Sequence, residues 1–98
     1  MGSMGSMGQA SVEAAGIQVT VRYFAAARAA AGAESETLVV RPGTTVAELV
    51  ERLAVRGSRL ATVLSRCSYL CDGIAVRDET TPLRPGDTID VLPPFAGG

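Results

Sequence analysis

The stretch with most chemical consequence is the last six residues, Pro93-Pro94-Phe95-Ala96-Gly97-Gly98. Fully extended, they reach about 20 Å at ~3.3 Å per residue. The prolines favour an extended exit without hydrogen bonds, and Gly97-Gly98, having no Cβ atoms, can thread a channel too narrow for any other dipeptide. A carboxylate presented on such a tail can be fed into another protein's active site; the plain alternative is a frayed end. The rest of the chain offers little chemistry of its own. It contains no His, and all nine basic residues are Arg. Without His there is no side chain suited to proton transfer near neutral pH, no Ser/His or Cys/His nucleophile pair and no imidazole metal site. Without Lys no side-chain amine can form a Schiff base or accept an acyl group. Cys67 and Cys71, on one strand, would stand ~13 Å apart, past the ~7 Å limit for a disulfide. Two thiols without His make no zinc site, so no metal is expected, and the pair reads as small hydrophobes in a reducing cytoplasm. The carboxylate pairs Asp78-Glu79 and Asp87 with Asp90 read as solvated turn or strand-face residues.

The elements that would position the tail follow from pattern. Residues 1–16, with a doubled Met-Gly-Ser, read as a disordered or vector-derived leader without a signal-like or membrane-spanning run. From Ile17, strict alternation puts Ile17, Val19, Val21 and Tyr23 on one face and Gln18, Thr20, Arg22 and Phe24 on the other, the period of a half-buried strand. Ala25 to Ala31 predicts a helical turn stopped by a left-handed Gly32, and Glu36 to Arg41 a second strand. Thr45 and Glu48 form a capping box ahead of Val46, Leu49, Val50 and Leu53, an amphipathic helix expected to close at Gly57. Leu60, Val63 and Leu64 indicate a further helical turn. Asp72-Gly73 is a hairpin turn between strands at Cys67 to Cys71 and Ile74 to Arg77. After the turn at residues 83–87, Thr88 to Leu92 is a last strand with Ile89 and Val91 inward and Thr88, Asp90 and Leu92 outward.

This order predicts an α+β domain over residues 17–92, a mixed β-grasp (ubiquitin-like) sheet with one principal helix on one face and the last strand parallel to the first at its centre; residues 93–98 are the flexible tail. Ninety-eight residues with 47% hydrophobic and 19% charged content allow one small, soluble domain with a thin core. A net charge of -1 without a basic stripe makes nucleic acid and anionic membranes poor partners. Phe24 and Leu92 break the alternation on the open face. If their strands are neighbours, they form an apolar patch rimmed by Arg22, Thr20 and Asp90 at the root of the tail, an interface core to which Pro94 and Phe95 add.

Three segments, Tyr23-Phe24-Ala25 with Arg28 and Gly32, Pro42-Gly43-Thr44-Thr45-Val46, and Leu83-Arg84-Pro85-Gly86-Asp87 running to Pro93-Pro94-Phe95-Ala96-Gly97-Gly98, together resemble the β-grasp sulfur carriers of the MoaD/ThiS type, in particular small subunits of molybdopterin synthase. The likeness spans residues 17–98 and departs at Cys71-Asp72-Gly73 and at Phe95. It implies a protein that is not an enzyme alone but the sulfur-donating subunit of a sulfurtransferase complex. The Gly98 carboxylate would be adenylated and then thiocarboxylated, with Pro93, Pro94, Phe95, Ala96 and Gly97 as the tail that delivers it and Phe24, Leu92 and Arg28 as partner contacts. The implied partners are a large catalytic subunit in a heterotetramer, an E1-like adenylyltransferase using ATP and Mg²⁺, and a persulfide enzyme; the chain itself would bind no cofactor. The product would be the dithiolene of the molybdenum cofactor. Sulfur supply to cysteine or thiamine biosynthesis, a ubiquitin-like modifier and a plain binding module are the alternatives.

Overall fold

A computed structural model describes residues 16–94. The leader up to residue 15 and the tail residues Phe95, Ala96, Gly97 and Gly98 lie outside the described residues. The first strand, β1 (Ile17–Tyr23), buries Val19, Val21 and Tyr23 and exposes Gln18 and Arg22, as the alternation requires. Helix α1 (Ala25–Ala31) is stopped by Gly32, whose φ of 77° is the left-handed region that a Cβ disfavours. Strand β2 (Ser35–Val40) returns antiparallel to β1, with Val19 opposite Leu38.

Helix α2 (Val46–Ala54) starts at the capping box: Glu48 N–H donates to Thr45 Oγ1 (3.1 Å) and Thr45 N–H donates to Glu48 Oε1 (2.9 Å). Its other early donors are met by a neighbouring loop, Val46 N–H on the Thr81 carbonyl and Ala47 N–H on that of Glu79. The helix does not run to Gly57. It ends at Ala54 with Val55 as cap, because the apolar repeat stops: three and four residues after Leu53 stand Arg56 and Gly57, which have nothing to bury. Gly57 instead precedes helix α3 (Ser58–Leu64), which buries Leu60 and Leu64.

Strands β3 (Ser68–Cys71) and β4 (Ile74–Ala75) form the Asp72-Gly73 hairpin, with both turn residues at positive φ. The second strand is shorter than the expected Ile74 to Arg77; after one more bond, from Val76 N–H to the Tyr69 carbonyl, the chain turns at Asp78. Strand β5 (Thr88–Leu92) runs parallel to β1 and antiparallel to β3, giving the sheet order β2-β1-β5-β3-β4. The last strand thus lies at the centre beside the first, the β-grasp arrangement.

The core joins Val19, Val21, Tyr23, Ile89 and Val91 of the central strands to Leu49 and Leu53 of α2, with Ala27 of α1 and Leu60 and Leu64 of α3. The principal helix α2, with nine residues, is joined by the two shorter helices α1 and α3 of seven residues each. Leu83, within the stretch expected to be a turn, is a buried member of the core.

Candidate partner-docking site

Parallel pairing places Tyr23 opposite Val91, and the next step of the ladder is Phe24 N–H on the Val91 carbonyl (3.2 Å). Phe24 and Leu92 therefore leave their strands side by side. They share a cleft of about 490 Å³ with Pro93 and Pro94, whose lining is completed by Ala25, Ala26, Arg66 and Ser68. Phe24 is 38% exposed, Leu92 is half-buried, and Pro94 is exposed. Ala25 holds a positive φ of 52° directly beside the cleft, a backbone state that costs a residue with a Cβ about 1–2 kcal/mol.

The surroundings are more ordered than a solvated strand face. Asp90, expected outward and exposed, is buried (6% exposed). It lies between Arg22 and Leu70 on the neighbouring strands and is neutralised by a two-pronged pair: Arg22 Nε donates to Oδ1 (2.7 Å) and Nη2 to Oδ2 (2.9 Å). That contact raises the Arg22 pKa further. The guanidinium carbon also sits 5.5 Å from the centre of the Phe24 ring, so one cation fixes both a buried carboxylate and the aromatic wall of the cleft. The opposite charges at positions 22 and 90 were the available signal; the parallel register makes them meet.

Arg28, the third expected partner contact, is not among the residues lining the cleft, and the remaining carboxylates and thiols serve local structure. Arg28 pairs with Glu34 at 3.0 Å on the surface of its own domain, both side chains well exposed. Asp87, also expected to be solvated, is buried, its Oδ2 accepting from Arg84 N–H (2.8 Å) to close the turn before β5. Cys71, Asp72 and Asp87 bring three potential ligand atoms within 4.8 Å of one another, but Asp72 Oδ1 is likewise engaged, accepting from Thr88 N–H. Burial first, and then the neighbouring Asp87 charge, pushes the Cys71 thiol up to about 11; burial raises Cys67 as well. Neither thiol is disulfide-bonded, and both are half-buried against the core. Asp78 accepts from Thr80 N–H and Oγ1, ordering an exposed turn and lowering its own pKa. No helix among the described residues is long and apolar enough to cross a membrane.

The described residues thus form a β-grasp sheet whose last strand runs into Pro93 and Pro94 beside an exposed apolar cleft. The ThiS family profile matches residues 21–98, and the chain belongs to that family. Two relatives are described as molybdopterin synthase sulfur carrier subunits. The one from Homo sapiens is 32% identical over 83 residues, covering 83% of this chain and 94% of the relative; the one from Chlamydomonas reinhardtii is 28% identical, covering 84% of this chain and all of the relative. Among solved structures, a candidate subunit 1 of the molybdopterin converting factor from Pyrococcus furiosus superposes with a TM-score of 0.73 at 25% identity, over 81% of this chain and 99% of that one. Small archaeal modifier protein 1 of Methanosarcina acetivorans gives 0.71 at 26% identity, over 85% and 98%. A chain from the complex of subunits 1 and 2 of the molybdopterin-converting factor from Helicobacter pylori gives 0.59 at 26%, over 84% and 100%.

Proposed function

We propose that this protein is the sulfur-carrier subunit of a molybdopterin synthase. The observation that carries the reading is the placement of the tail root: β5 delivers Pro93 and Pro94 onto the cleft shared by Phe24 and Leu92, so a partner gripping that cleft receives the residues that follow. The Helicobacter pylori structure pairs a similar chain with a second subunit, which supports a large subunit as the partner here; a heterotetramer is the assembly this reading assigns to the pair.

The chemistry belongs to Gly98. A carboxylate is a poor electrophile. An E1-like adenylyltransferase using ATP and Mg²⁺ converts it to an acyl-adenylate with release of pyrophosphate. A persulfide sulfur then attacks the acyl carbon and AMP leaves; cleavage of the sulfur–sulfur bond by a second thiol of the donor enzyme frees the thiocarboxylate. This chain's part is recognition and delivery. Its two cysteines, half-buried and with raised pKa values, are poor thiolates, which supports placing the sulfur on the terminus.

Intact-mass analysis after incubation with the activating enzyme, ATP and a sulfur source tests this: one oxygen replaced by sulfur at Gly98 is expected, and an unchanged mass in a mixture active on another carrier refutes it. One alanine appended after Gly98 should abolish the modification while the fold stays intact. The likeness to the Methanosarcina modifier supports a second reading, conjugation of Gly98 to lysines of other proteins. Gly-Gly remnants on cellular lysines, with no rescue of molybdenum-cofactor-deficient cells, would favour it.

A further inference from the structure

The geometry points to Arg22 as a specificity residue of the docking face, offering fixed N–H donors to carbonyl oxygens of the large subunit; this rests on the carrier reading above. A guanidinium carries five N–H donors. Asp90 takes one on Nε and one on Nη2, which leaves the Nη1–Nη2 edge, turned away from Asp90, unused by that pair. The Arg22 side chain is 52% exposed while that of Asp90 is 8% exposed, so the charge is anchored on its buried side and open on the other. Ordering a free arginine is a substantial part of the cost of docking on it. Here the order is already set by the carboxylate and by the Phe24 ring beneath the guanidinium.

The same pairing selects the partner group. Asp90 already neutralises Arg22, so a second carboxylate would meet a pair with no net charge and would still lose its hydration. A neutral carbonyl oxygen gains a charge-assisted hydrogen bond at smaller desolvation cost. The occupant that fits is therefore a segment of the large subunit that sets an apolar side chain in the Phe24/Leu92 cleft and turns an amide or main-chain carbonyl toward Arg22.

The test measures affinity for the large subunit by calorimetry with the full chain, alongside thermal unfolding. The double variant Arg22→Met/Asp90→Leu replaces the pair by apolar groups of similar size and should keep the fold, yet bind at least about tenfold more weakly. Arg22→Lys retains the charge opposite Asp90 without the planar fork and should also weaken binding. Raising salt from ~50 to ~500 mM should change the ratio of parent to double-variant affinity by less than about twofold, since the face is neutral here. Folded variants that bind like the parent overturn the inference alone. A strongly salt-dependent ratio overturns the carbonyl assignment in favour of an acidic partner group. Failure of the parent itself to bind overturns the carrier reading.

Discussion

Tyr23, Glu36 and Arg56 form the polar link that ties β1 to β2 and to the end of α2. Tyr23 Oη donates to Glu36 Oε2 at 2.6 Å, and Arg56 Nη1 reaches the same oxygen at 2.6 Å. The Arg56 hydrogen bond comes first among the causes that hold the Glu36 pKa below the usual carboxylate value, against the opposing effect of partial burial. The linkage has a definite sign. A carboxylate with a depressed pKa in the folded state stabilises fully above its unfolded pKa of about 4.3 and loses that contribution as pH falls through the lower folded value. Glu36→Gln should therefore cost about 1 kcal/mol near neutrality, an amount held down by the exposure of Arg56. The difference from the parent should vanish in acid. Urea unfolding at a series of pH values checks both, and a constant difference down to strongly acidic pH would exclude Glu36 as the titrating group. The alkaline side has the opposite origin: burial, followed for Tyr23 by its bond to Glu36 and for Tyr69 by nearby negative charge, raises both phenols, so their contribution is whole below about pH 10 and fades above it.

At the scale of elements, the features governed by near neighbours were readable in the chain. Thr45 and Glu48 close the capping box, Gly32 takes the left-handed stop after α1, and Asp72-Gly73 turns the hairpin; each is decided within about four residues. Thr45→Ala should cost about 1 kcal/mol by freeing the Glu48 N–H. Because α2 packs on the covered side of the sheet, affinity for a partner on the other side should be unchanged. Denaturant unfolding combined with a binding titration separates the two effects, and a variant that loses affinity while losing little stability would place α2 in the interface. Boundaries set by distant packing were less legible. The α2 terminus follows from what the residues after Leu53 have to bury, and α3 is a full helix because its Leu60 and Leu64 meet the same core as α2. Short β4 reflects how few residues pair with β3. Arg28 shows the same limit from the other side, since its spacing fits a helix face but only the fold reveals Glu34 beside it.

At the scale of the whole molecule, the sheet formed by the described residues has two unlike faces, one covered by helices and one open, and Phe24 and Leu92 belong to the second. Their meeting was legible as two breaks in alternation on strands that a β-grasp order makes neighbours. Burial of Asp90 was not, because alternation assigns a residue to a face and says nothing of what crowds it there; Arg22 and Leu70 on adjacent strands cover the carboxylate without a second layer. The two faces should respond differently to the same substitution. An arginine at a core position such as Val91, which is fully buried, would strand a charge among apolar groups and unfold the domain. Phe24→Arg or Leu92→Arg places the new charge at the rim of an open cleft, where the long side chain can reach water. Either variant should stay within about 1 kcal/mol of the parent in stability while affinity for the large subunit falls more than about tenfold. Thermal unfolding and calorimetry on the same samples decide between the possibilities. Unfolding by Leu92→Arg would make that residue part of the core, and native stability with undiminished affinity would move the docking surface off the tail root.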